Sequence, residues 1–269
     1  MLKRTVVALI LAPILVVVVL FAPKIVTAAC VAAFSAIAAY ELLNGTKLVT
    51  EPRMLFYTMA MAFLVPLWRY YGQPHVAAVL GILAFYILLF SELMITDMKV
   101  HFSKVAMCVA AGLVIPFMFS SLVRILCMDK GRYFIMAPFV AAFMSDIGAY
   151  LIGCSMGKHK LCPLISPKKT VEGLVGGIVF AALGMMAYGF ILQHFFALKV
   201  NFLYIAIYGL MGSLCGVFGD LSFSVIKRQT GIKDYGKIFP GHGGILDRFD
   251  SVIVVAPLIE VLLCLIPVA

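Results

Sequence analysis

Apolar runs of about 20 residues, separated by short polar intervals, recur along almost the whole chain. Each is long enough to cross a bilayer as a helix, because roughly 20 mostly apolar residues match the hydrocarbon thickness. We place about nine, near 5–22, 25–43, 54–71, 75–96, 104–127, 134–154, 171–193, 202–221 and 250–268. The expected fold class is therefore all-α, a polytopic integral membrane protein. Lys3 and Arg4 before an apolar run resemble a signal peptide, but no small-residue cleavage site follows and a second apolar run begins just after Pro23 and Lys24, so the first run is read as a span.

The polar intervals are unequal. Two are long, about 155–170 and 222–249, and the last four spans carry most of the internal polarity. We therefore expect an N-terminal scaffold half, 1–130, and a C-terminal catalytic half, 131–269, that holds both loops. Composition agrees with the membrane reading: of 269 residues 64% are hydrophobic and only 12% charged, too little polar surface to clothe a soluble globule. With the N-terminus in the cytoplasm, most of the 21 Lys and Arg residues fall on the cytoplasmic side, so the positive-inside rule favours N-in, C-out with both long loops cytoplasmic. The same cations suit anionic headgroups and nucleotide phosphates, although topology alone produces such a bias. The seven cysteines lie mostly within apolar runs without a C-x-x-C pair, so neither a disulfide framework nor zinc is expected.

The segment from Ser222 to Asp250 crowds cations, carboxylates, a histidine and glycines between two apolar runs. Carboxylates in or beside membrane helices are functional candidates by default, since lipid penalises them heavily. Asp146 lies inside the sixth span, Asp220 ends the eighth, and Asp247 and Asp250 open the ninth. The alternative for each carboxylate is an ion pair with a nearby Lys or Arg, for instance Asp247 or Asp250 with Arg228 or Arg248. If the helix bearing Asp220 continues past the membrane, Asp220, Ser224 and Arg228 recur at every fourth residue and line one face. They would offer a metal ligand, a hydrogen-bond donor and a phosphate clamp. Aspartates on different helices suit magnesium, which takes oxygen ligands and completes its shell with water and substrate phosphate. Gly241, Gly243 and Gly244 around His242 would let backbone amides approach a phosphate. Together these residues point to phosphoryl or nucleotidyl transfer at the bilayer surface.

The string Ser224, Lys227-Arg228, Lys233-Asp234, Pro240-Gly241-His242-Gly243-Gly244 and Asp247-Arg248-x-Asp250 resembles the signature of the phosphatidate cytidylyltransferases, also called CDP-diacylglycerol synthases. A second block is similar to another of that family: Ser145-Asp146-x-Gly148-Ala149-Tyr150, Gly157-Lys158-His159-Lys160 and Ser166-Pro167-Lys168-Lys169-Thr170-x-Glu172-Gly173. The resemblance implies a reaction of CTP with phosphatidic acid that yields CDP-diacylglycerol and pyrophosphate, with magnesium required, a second cation beside it, and a homodimer. Cytidine is implied by the resemblance alone.

On this reading Asp220, Asp247 and Asp250 hold metal, and Arg228 and Lys233 meet the lipid phosphate or, alternatively, snorkel at the interface. Lys158, Lys160, Lys168 and Lys169 hold the triphosphate or simply mark the cytoplasmic side. Asp146, Ser224, Lys227, Arg248, Gly243 and Gly244 complete the substrate-binding set. His242 orients a pyrophosphate oxygen, acts as a general acid, or is an ordinary loop histidine. Thr170 followed by Glu172 also reads as a helix start, with Thr170 as N-cap. Glu41 reads as a cap or interface anchor, and Gly173-x-x-Gly176-Gly177 as close helix packing in lipid. Two competitors are a CTP-dependent polyprenol-type lipid kinase, which should lack the full glycine-aspartate string, and an ion or anion transporter, which should carry polar groups at mid-membrane in two related halves. A bacterial inner membrane and no nucleic-acid partner are expected.

Overall fold

The computed structural model describes residues 13, 16–71, 75–97, 99–238 and 243–268. Helices dominate it. In chain order they are α1 (Lys24–Tyr40, running on through a π-helical turn Glu41–Gly45), α2 (Pro52–Tyr70), α3 (His75–Ile95) and α4 (Phe102–Val109, running on through a π-helical turn Ala110–Val114). There follow α5 (Ile115–Phe119), α6 (Ser121–Cys127), α7 (Gly131–Phe134), α8 (Ala137–Met156), α9 (Val171–Phe196), α10 (Phe202–Gln229) and α11 (Leu246–Leu265). Between α8 and α9 stands one antiparallel hairpin, β1 (Lys160–Cys162) and β2 (Ser166–Thr170), a local addition to the all-α expectation.

Six helical stretches among the described residues are long and apolar enough to cross a membrane: Lys24–Gly45, Val76–Ile95, Phe102–Cys127, Gly131–Met156, Val171–Phe196 and Phe202–Gln229. The chain is an all-α polytopic membrane protein. Helices also occupy the expected positions at Pro52–Tyr70 and Leu246–Leu265, whereas most of the expected first span, 5–22, lies outside the described residues. The polar interval expected at 222–249 is shorter than its sequence suggests, because α10 persists through Gln229.

The chain folds as two units. The first comprises residues up to Asp129 and Gln229–Phe249; the second comprises Lys130–Arg228 and Asp250–Ala269. The segment 229–249, grouped by sequence with the C-terminal half, thus packs with N-terminal residues. In the first unit α1 lies along α2 around buried Ala32, Leu42, Leu43, Met54 and Ala62. Buried Glu92 on α3 accepts from the Tyr57 hydroxyl (3.4 Å) and faces Arg53 at 3.7 Å. Glu51, ahead of α2, pairs with Lys104. Partial burial pushes its carboxyl up, but the Lys104 ammonium and local amides outweigh this and hold it below the usual carboxylate range.

In the second unit small residues bring helices into backbone contact, as the Gly173-x-x-Gly176-Gly177 pattern predicts. A Cβ on Gly148 would stand 2.4 Å from the Phe180 Cβ, and one on Gly176 2.5 Å from the Ile152 Cβ, so α8 and α9 close only because both positions are glycine. On α10, Gly209 fits against the Ala181 carbonyl of α9, and the Ser213 hydroxyl meets that of Ser145 on α8 at 2.7 Å. Gly219 lets α10 lie against the Asp250 carbonyl of α11. Thr170 caps α9 as expected, its hydroxyl accepting from the Gly173 amide at 3.1 Å.

Candidate active site

α10 carries Asp220, Ser224 and Arg228 one turn apart, as the four-residue spacing requires. Asp220 Oδ1 accepts from the Ser224 hydroxyl at 3.3 Å. Its Oδ2 is in an ion pair with Lys169 Nζ of β2, a contact without the alignment of a hydrogen bond, and that ammonium is shut off from solvent. Arg228 Nε donates to the Ile165 carbonyl (3.1 Å) in the connection from β1 to β2. The hairpin is therefore fastened to α10 at two points, one ionic and one through its backbone.

Asp250 is buried, and its Oδ1 accepts from the Ser251 amide at 2.7 Å. It lies within electrostatic reach of Asp220, of Asp146 on α8 and of buried Lys227 on α10. Three carboxylates and two ammonium groups of the second unit thus form one electrostatic cluster. Lys158, Lys160 and Lys168 are exposed nearby in sequence. The backbone at Lys158 and His159 is fixed by Glu172, which accepts from both amides (3.1 and 3.2 Å) and meets His159 Nδ1 at 2.6 Å.

In the first unit two carboxylates hold the backbone amides of Tyr235 and of residues 244–246. Asp247 Oδ2 accepts from the Tyr235 amide (2.8 Å) and the Gly244 amide (3.0 Å). Glu41, in the π-helical turn that ends α1, accepts from the Ile245 amide through Oε1 (3.1 Å) and from the Leu246 amide through Oε2 (2.9 Å). Three consecutive amides at the start of α11, from 244 to 246, are thereby engaged by side chains of the protein itself. Gly243 has φ +83°, which only glycine adopts without strain. A Cβ on Gly236 or Gly244 would lie within 2.1 or 2.2 Å of the Glu41 carboxylate. The Gly244 amide, expected to approach a phosphate, donates to Asp247 here, and its missing side chain makes room for Glu41. Lys233 and Arg248 are exposed, and His242, with Pro240 and Gly241, lies outside the described residues.

With this geometry in view, the relatives are informative. The model of the cytidylyltransferase family matches residues 2–266. The chain belongs to the cytidylyltransferase family. It is 36% identical over 233 residues to the phosphatidate cytidylyltransferase of Staphylococcus aureus strain COL, covering 84% of this chain and 85% of that protein. It is 35% identical over 237 residues to the phosphatidate cytidylyltransferase of Bacillus subtilis strain 168, covering 87% of each. The resemblance drawn from the signature residues is thus supported along the length of the chain.

Within this cytidylyltransferase, the structure brings together Asp220, Ser224 and Lys169, and sets Asp250 in the field of Asp146, Asp220 and Lys227. Among the described residues no group of three or more His, Cys, Asp or Glu side chains forms a complete ligand set. Sequence reasoning left two glutamates out of the site. Glu172 shows in the second motif block and two positions after a cap, without a site role, and Glu41 is a cap, as expected in kind, but of a helix 205 residues further along.

Proposed function

We propose that this cytidylyltransferase converts CTP and phosphatidic acid to CDP-diacylglycerol and pyrophosphate, a step of phospholipid biosynthesis. The carboxylate-ammonium cluster of Asp220, Asp250, Asp146, Lys169 and Lys227 is the observation that carries the reading chemically, and the names of the relatives over 84% and 87% of the chain support the substrates. An oxygen of the lipid phosphate attacks the α-phosphorus of CTP. A new oxygen–phosphorus bond forms there, the bond from the α-phosphorus to the bridging oxygen breaks, and pyrophosphate leaves with the electron pair. The attacking phosphate is already ionised at neutral pH, its second pKa being about 6, so no side chain has to remove a proton from it.

Both reactants are anions, so the protein must screen like charges. Lys169 and Lys227 are the buried or half-buried cations suited to the triphosphate. Exposed Lys158, Lys160 and Lys168 attract it, and Glu172 fixes the backbone that bears Lys158. Arg228 and Lys233 are assigned to the lipid phosphate, and Arg248 to substrate binding. The donor set fits magnesium. Its oxygens are hard ligands, and one or two carboxylates suffice because phosphate and water supply the rest. Asp220 and Asp250 are the proposed ligands in the second unit. Asp247 is also proposed as a metal carboxylate, and its two amide hydrogen bonds orient it as ligating carboxylates usually are oriented. Magnesium, when bound, supplies neutralising positive charge to the nucleotide phosphates. His242 and a second cation keep their proposed roles. An N-in orientation with the site facing the cytoplasm, a bacterial inner membrane and a homodimer belong to the same proposal.

The test is turnover of CTP and phosphatidic acid in detergent micelles, with and without magnesium, by wild type, Asp220→Asn and Asp250→Asn. We expect CDP-diacylglycerol and pyrophosphate from the wild type with metal only. Formation of CDP and a phosphorylated lipid would establish a kinase instead, and folded wild type that turns over nothing would overturn the assignment.

A further inference from the structure

We infer that Glu41 is a positioning residue for the reaction: its buried carboxylate sets the N-terminus of α11 and, through it, the orientation of Asp247. The inference rests on the proposed function. The first turn of a helix leaves amides without intrahelical partners, and a carboxylate satisfies them while complementing the positive end of the helix dipole. Such caps normally come from the residue next to the helix. At α11 the cap comes from Glu41, which takes Ile245 and Leu246 with one oxygen each.

Burying a carboxylate is costly unless hydrogen bonds compensate, and Glu41 is only 3% exposed. The surroundings are shaped to admit it. Among the described residues Gly236 and Gly244 are the two glycines where a Cβ would strike the Glu41 carboxyl group, and Gly45, at the end of the same π-helical turn, lets Tyr235 bring its carbonyl to within 2.2 Å of where a Cβ would stand. Two of the three glycines therefore hold space for Glu41 itself. The neighbouring amide, Gly244, goes to Asp247 together with that of Tyr235. Glu41 and Asp247 hold adjacent amides of one turn, so moving the first moves the backbone that fixes the second. The π-helical turn has a use in the same terms: one extra residue re-aims the last turn of α1, and Glu41 is its first residue.

A residue that only stabilises the fold and one that sets a reacting group are separable. Glu41→Gln keeps the shape but replaces one acceptor with an NH₂ group that opposes an amide N–H. Glu41→Ala removes both acceptors. Glu92→Gln is the control, a glutamate also buried in the same unit and outside the site. The measurements are melting temperature, kcat and KM for CTP and phosphatidic acid, and Mn²⁺ binding by electron paramagnetic resonance without substrate. For Glu41→Gln we expect Mn²⁺ affinity or kcat to fall by ~10- to 100-fold, the usual effect of losing an outer partner of a ligand, with KM for phosphatidic acid little changed. Glu92→Gln should lose stability alone. If folded Glu41→Gln keeps wild-type kcat and Mn²⁺ affinity whatever its melting temperature, Glu41 is structural and the inference fails. If the wild type itself makes no CDP-diacylglycerol, the proposed function fails first, and the Mn²⁺ data still report on Glu41.

Discussion

Lys169→Met would remove the cation that lies against Asp220 while keeping most of the apolar stem. Asp220 would then face the charge of Asp250 without its ion-pair partner. The two side chains are 23% and 27% exposed, between the regimes for which magnitudes are known. Exposed pairs contribute ~0.2–1 kcal/mol, and breaking a fully buried pair costs ~3–5 kcal/mol; an intermediate loss of ~1–3 kcal/mol is expected here. Asp220→Asn should also destabilise, and the double variant should lose less than the sum, because each partner is penalised chiefly for what it leaves behind. Magnesium sharpens the test. If the metal binds the carboxylates from which Lys169 was removed, saturating magnesium should raise the melting temperature of Lys169→Met by more than that of the wild type. Turnover should fall by ~10²–10³, the scale for losing one charge that stabilises the transition state. The assay is a thermal melt of the four proteins in detergent, with and without magnesium, beside the turnover assay. A coupling within ~0.5 kcal/mol of zero, with turnover unchanged, would refute the argument that this pair belongs to the site.

Gly244→Ala should destabilise by ~1–3 kcal/mol through overpacking against Glu41 and reduce turnover with it. At Gly231, with φ +70° and nothing within 4 Å of an added Cβ, the same change should cost only left-handed strain, ~1–2 kcal/mol, and spare turnover; denaturant titration and the turnover assay compare the two. Glu172→Gln weakens the hold on Lys158 and His159, so KM for CTP should rise several-fold while kcat is kept, as steady-state kinetics would reveal. The Glu51–Lys104 pair holds a carboxyl whose pKa is lowered on folding, so its contribution is present above the unfolded value, about 4.3, and is lost as pH falls through the lower folded value. Melts of wild type and Lys104→Met should therefore differ at neutral pH and converge in acid.

Periodicity made the helices legible. Runs of about 20 apolar residues are hard to satisfy except as helices in lipid, and the small-residue pattern around Gly176 predicted the close approach of α8 and α9 because that approach needs missing Cβ atoms on both sides. The face bearing Asp220, Ser224 and Arg228 was legible for the same reason, since a helix repeats at four residues. The hairpin was not. Ser166–Thr170 carries proline and two lysines where a strand usually carries β-branched and aromatic residues, and the pairing is local.

The glycine-rich turn shows why composition alone does not name what a turn holds. Closely spaced glycines permit a close approach, but a sequence does not say what approaches. A phosphate and a carboxylate present the same acceptor oxygens to a backbone amide, so a turn built for either has the same composition. Here all four amides at 235 and 244–246 belong to the carboxylates of Asp247 and Glu41, and the deciding partner, Glu41, lies 205 residues from Leu246. Local rules reach three or four residues. A cap supplied from across the chain is visible only as an acidic residue that an apolar segment would not otherwise tolerate. In A-A-Y-E-L-L that signal was present at Glu41, and the cost of an intramembrane carboxylate required it to have a specific partner.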